Sequence, residues 1–77
     1  MKQFTLLQLK KEEKARIVAF NGGKGLISKL NARNIRPGKQ LTKISNNFAG
    51  GPVTVRIDNA KVAIGHRMAA KIIVEVL

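Results

Sequence analysis

The stretch Val53-Thr54-Val55-Arg56-Ile57-Asp58-Asn59-Ala60-Lys61-Val62-Ala63-Ile64 decides the fold. Val53, Val55 and Ile57 alternate with Thr54, Arg56 and Asp58, the period of a strand with one face in a core and one in water. Asp58-Asn59 supplies two adjacent residues that tolerate positive φ, which predicts a tight hairpin turn. Val62 and Ile64 then carry the inward phase of the returning strand.

Working back from the hairpin, residues 46–52 read as a loop by composition, and Phe48 is its one aromatic residue. Residues 39–45 contain the β-formers Leu41, Thr42 and Ile44 without clean alternation, so they predict a strand that bends or bulges. Pro37-Gly38 suits the central positions of a type II turn, because proline presets the first φ and glycine accepts a positive second one. Asn34 is placed to end a helix in the left-handed conformation. Between residues 23 and 33, Leu26, Ile27 and Leu30 fall at helical spacing while Lys29 and Arg33 share another face, which predicts a short amphipathic helix. Residues 15–20 form an earlier strand, stopped by Asn21-Gly22-Gly23. Thr5 can cap a single turn carrying Leu6, Leu7 and Leu9, a lid docked on the core.

Beyond the hairpin, residues 66–70 allow one helical turn, and Ile72, Val74 and Val76 mark a final strand. Five short strands with little helix predict a mainly β fold, a small barrel or rolled sheet, since closure removes edges that a flat sheet would expose. The inward phases give an expected core of Val53, Val55, Ile57, Val62, Ile64, Ile72 and Val74 with Leu26 and Leu30. Phe4 and Phe20 read as structural.

The chain of 77 residues supports one such core and no second domain. It has no apolar run long enough to span a membrane and no apolar stretch after its charged start that would make a signal peptide. It lacks cysteine, so disulfides and thiolate metal sites are excluded and a cytoplasmic location is expected. With one His and four carboxylates, none at a recognised catalytic or ligand spacing, no enzyme, metal site or cofactor is expected.

Fifteen Lys and Arg give a net charge of +11, and 44 consecutive residues between Glu13 and Asp58 carry no carboxylate. The cations Lys14, Arg16, Lys24, Lys29, Arg33, Arg36, Lys39, Lys43 and Arg56 lie singly among apolar residues across that stretch. This is the pattern either of solvated faces or of a surface for an anionic partner. Gly23-Lys24-Gly25 ahead of the helix suggests an anion contact, or a plain strand-to-helix turn, because it does not match a phosphate-binding loop motif. A small basic nucleic-acid-binding barrel has the charge but few aromatic rings for stacking, which makes it the second reading.

The ordered set Thr5-Leu6-Leu7-Gln8-Leu9-Lys10, Ala15-Arg16-Ile17-Val18, Gly22-Gly23-Lys24-Gly25-Leu26, residues 29–38, Gly50-Gly51-Pro52-Val53, Val62-Ala63-Ile64 and residues 69–74 resembles the ferrous iron transport protein A (FeoA) family. The family departs from this chain in usually having Pro-Gly at Glu12-Glu13 and Met-Gly at Arg33-Asn34. The resemblance implies a single SH3-like five-stranded barrel over residues 1–77 with one or two short helices. The same module is similar to the C-terminal domain of iron-dependent repressors, but Met1 opens directly onto the barrel, which predicts a stand-alone domain. It further implies a non-catalytic cytosolic accessory protein that docks on the cytosolic domain of the ferrous iron transporter FeoB. The family carries the term transition metal ion binding, yet the resemblance implies no iron site of this chain's own. Phe48, Lys29, Arg33 and Arg36 are the expected partner-binding residues, with the basic middle of the chain tethering it to an anionic membrane surface and Phe48 either exposed or folded back as a plug.

Overall fold

The computed structural model describes residues 2–45 and 50–77, so Phe48 lies outside the described residues. Six strands form one antiparallel sheet: β1 (Gln3–Thr5), β2 (Lys14–Phe20), β3 (Gln40–Ser45), β4 (Val53–Ile57), β5 (Ala60–Ile64) and β6 (Ile72–Val76), in the order β1-β6-β2-β3-β4-β5. Helix α1 (Lys24–Ala32) joins β2 to β3, and the one-turn helix α2 (His66–Ala69) joins β5 to β6. The mainly β class with two short helices is as expected, but the strand count is six rather than five. The additional strand, β1, pairs Phe4 with Val74 and Thr5 with Ile73 before the chain enters the 3-10 turn Leu6–Gln8.

The core is one cluster drawn from every layer: Leu6 and Leu9 around the 3-10 turn, Ile17, Leu30, Ile35, Leu41, Val53, Val55, Ile57, Ile64, Ile72 and Val74 among them. The lid is therefore docked on the core through its own Leu6 and Leu9, and Gln8 Oε1 accepts a hydrogen bond from the Thr5 N–H at 2.9 Å to fix its start. Val62 and Leu26 are only half buried and pack against the rim of the core. Val62 sits on β5, the end strand of the sheet, with a paired neighbour on one side only. Ile27, grouped with Leu26 and Leu30 by sequence, points outward at 36% exposure.

The turn chemistry follows the residues. Asp58 and Asn59 take φ of 49° and 67°, both positive as a type I′ hairpin turn requires, and they set the register Arg56↔Lys61 and Val55↔Val62. Asn34 takes φ 65° after α1. Gly38 takes φ 94°, and the Lys39 N–H donates to Arg36 O at 3.1 Å, closing the type II turn. A further turn spans Lys10 to Glu13, where the Glu13 N–H donates to Lys10 O. Its strained position is Glu12, at φ 69°, so the central pair is Lys11-Glu12 rather than Glu12-Glu13. A left-handed non-glycine residue of this type costs about 1 to 2 kcal/mol.

The uneven pattern of β3 also has a cause. Leu41 and Lys43 are its inward residues, so a lysine occupies a core position and breaks the expected alternation. A bulge between Lys43 and Ser45 then shifts the register against β4. Lys43 is 1% exposed, and its Nζ donates to the carbonyl oxygens of Leu6, Leu7 and Leu9 at 3.3, 3.2 and 2.7 Å. It thereby leaves the basic surface and becomes the anchor of the lid. Burial pushes its ammonium below the ordinary lysine range.

Candidate functional site

The expected partner-binding cations Lys29, Arg33 and Arg36 follow one another along the last turn of α1 and the connection after it. Cations there sit at the negative end of the helix dipole, which favours them. Lys29 and Arg36 are exposed. Arg33 reaches across to β5, where its Nη1 donates to Ala63 O at 3.2 Å, so it also covers part of that strand's free edge.

At the other end of α1, Gly23 is the N-cap and Lys24 and Gly25 open the helix, with no acidic residue in the first turn. A Cβ at Gly23 or Gly25 would meet nothing, whereas one at Gly22 would run into the Leu26 side chain. A side chain at Gly22 would thus require the end of the half-buried Leu26 side chain to shift. Lys24 and Gly25 lie about one turn before Lys29 on α1, whereas Arg33 and Arg36 lie beyond its C-terminal end.

Two residues from distant turns meet at the β4–β5 hairpin. Asp58 Oδ2 accepts hydrogen bonds from Lys39 Nζ at 2.5 Å and from Asn34 Nδ2 at 2.8 Å. The Lys39 contact first, and the Asn34 contact second, hold the Asp58 carboxyl below the usual carboxylate range. Its contribution to folding is therefore present above the ordinary carboxylate pKa and fades as pH falls through the lowered one.

The solvent face of the sheet carries two cross-strand rows that linear reading missed. One runs Gln3↔Glu75↔Arg16↔Gln40 across β1, β6, β2 and β3. The next runs Lys14↔Thr42↔Arg56↔Lys61 across β2, β3, β4 and β5. The first contains an acid and a base; the second contains three cations and no acid. A hollow of about 230 Å³ opens on the second row, bordered by Lys14, Gln40, Thr42, Arg56 and Asp58. A second, more apolar groove of about 480 Å³ lies at the β1 end beside Phe4, Phe20 and Ile73. Among the described residues no three His, Asp or Glu side chains come together, and no helix is long and apolar enough to cross a membrane.

Comparison with known proteins bears on this architecture. A crystal structure of an iron uptake regulatory protein (FeoA) superposes with a TM-score of 0.88 at 22% identity, covering all of both chains. The solution structure of iron(II) transport protein A from Clostridium thermocellum gives a TM-score of 0.88 at 27% identity, over 96% of this chain and 46% of that one. A manganese-dependent transcriptional repressor in complex with manganese gives 0.90 at 18% identity, covering all of this chain and 38% of the repressor. The first and third of these likenesses, at such identity, show the shared fold alone. No curated protein sequence matches. The model of the FeoA domain matches residues 4–76, nearly the whole chain, and on that match this protein belongs to the FeoA domain family.

Proposed function

We propose that this protein is a non-catalytic cytosolic accessory of ferrous iron uptake, acting by contact with the cytosolic domain of the membrane transporter FeoB. The observation that carries the reading is the family match over residues 4–76. The likeness to an iron(II) transport protein at 27% identity supports it.

The chemistry of the described residues agrees with a binding role. Catalysis needs a nucleophile beside a base, or two carboxyls tuned apart. Asp58 is engaged by Lys39 and Asn34, while Glu12 and Glu13 sit in or beside a backbone turn. What the chain offers instead is exposed positive charge on a rigid scaffold. Lys29, Arg33 and Arg36 are the proposed contacts for an acidic patch on the transporter, with Phe48 as an apolar contact and Gly23, Lys24 and Gly25 as an anion contact at the opposite end of α1.

Ferrous iron uptake under anaerobic conditions, in cells that have the transporter but lack this chain, tests the role. Wild type is expected to restore uptake and a folded Lys29→Glu/Arg36→Glu variant to restore it poorly. Equal uptake with and without the wild-type chain would contradict the proposal.

A further inference from the structure

We propose that the cationic row Lys14, Arg56 and Lys61 on the outer sheet face is a docking surface for the phosphodiester headgroups of an anionic lipid bilayer. The choice of a bilayer over another polyanion rests on the transport role proposed above.

The row is not a stability device. Arg56 and Lys61 stand directly opposite each other in the hairpin register, and like charges so placed destabilise a sheet. A lysine on the end strand blunts a sheet edge, which accounts for Lys61 alone and not for Arg56 or Lys14 on paired strands. The adjacent row shows the contrasting solution, since Arg16 there faces Glu75. None of Lys14, Arg56 and Lys61 forms an ion pair among the described residues. Asp58, which borders the hollow, is already held by Lys39 and Asn34.

With neighbouring strands about 4.8 Å apart, the row from β2 to β5 spans at most about 14 Å across the sheet, within reach of several neighbouring headgroups. The hollow between Lys14 and Arg56 has room for one phosphate group, and the Thr42 hydroxyl on its wall is a donor of the required kind. Nucleic acid would present the same phosphodiester, but single strands are held largely by bases stacking on aromatic rings, and the row contains none. The proteins' two described phenylalanines, Phe4 and Phe20, lie beside the groove at the β1 end.

Flotation of the full chain with vesicles of phosphatidylglycerol and phosphatidylcholine, compared with phosphatidylcholine alone, tests this. Wild type is expected to bind only the anionic vesicles and to be released as salt rises. Each well-placed cation contributes roughly fivefold to partitioning, so Lys14→Gln/Arg56→Gln/Lys61→Gln is expected to lose about 100-fold. A variant with the same change in charge elsewhere, Lys24→Gln/Lys29→Gln/Arg36→Gln, is expected to lose only a few-fold. Thermal melts confirm that both variants fold, and retention of transporter binding by the sheet variant would show that the two surfaces are separate. Equal losses in the two variants would reduce the effect to net charge and overturn the proposal. So would tighter binding to an RNA oligonucleotide that the sheet variant alone loses. Absence of vesicle binding by wild type that still binds the transporter would overturn the lipid surface and leave the accessory role standing.

Discussion

Lys43→Met is expected to destabilise the protein by about 2–4 kcal/mol, although methionine fills nearly the same space and removes a buried charge. Two effects oppose each other. Relief of ammonium desolvation favours the variant, and replacement of a buried charged group by an apolar one is neutral or stabilising in some proteins. Here the partners are backbone carbonyls that cannot be removed with the lysine. Leu6 O keeps the Leu9 N–H at 3.3 Å, but Leu7 O and Leu9 O lose the donor that Lys43 supplies. An orphaned acceptor costs about 1–3 kcal/mol where it is buried, as at Leu9 O, less at the part-buried Leu7 O, and the lid that carries Leu6 and Leu9 loses its tie to β3. Denaturant melts of the two proteins measure the difference, and an unchanged or raised midpoint in the variant would contradict it.

The pH dependence of that difference has a definite sign. Because the folded state holds the Lys43 proton less tightly than the unfolded state, the unfolded chain binds more protons between the lowered pKa and the ordinary lysine value. Wild-type stability therefore rises with pH through that window by a contribution that Lys43→Met lacks. The gap between the two proteins should widen on the alkaline side.

The second large effect is expected at the helix. Leu30 is the fully buried side chain of α1, with Leu26 half buried and Ile27 turned to solvent. Leu30→Ala should cost about 2–4 kcal/mol through lost transfer energy and the cavity left behind. For a domain of 77 residues, whose total stability is of the order of 4–12 kcal/mol, that is a large share. Ile27→Ser should change stability by less than about 0.5 kcal/mol. A reversal of the two results would mean that α1 docks through its other face.

Local chemistry was the legible part of this sequence. The hairpin at Asp58-Asn59, the left-handed Asn34 and the Pro37-Gly38 turn each follow from residues that few other conformations accommodate. The alternation in β4 and β6 fixed the inward residues Val53, Val55, Ile57, Ile72 and Val74. What escaped depends on partners far along the chain. Strand β1 is three residues long and exists because β6, some seventy residues later, lies beside it. Lys43 reads as a surface cation until the carbonyls of the 3-10 turn are brought to it.

The site was legible in composition and not in place. Charge alone announces an anionic partner, but the row on the sheet needs the β2–β3 and β3–β4 registers before Lys14 and Arg56 come together. One part of it was within reach: a two-residue turn centred on Asp58-Asn59 puts Arg56 opposite Lys61 by counting. The family resemblance was carried by the order of the turns, and the family match spans residues 4–76. The position of Glu12 at φ 69° is consistent with this, since it occupies a turn position where glycine would sit without strain.

Direct binding between this chain and the transporter's cytosolic domain tests the central claim most closely. Titration calorimetry with both proteins purified is expected to give saturable binding that weakens in a folded Lys29→Glu/Arg36→Glu variant and at raised salt. Heats of dilution alone for the wild type, at concentrations where both proteins are folded, would contradict the account.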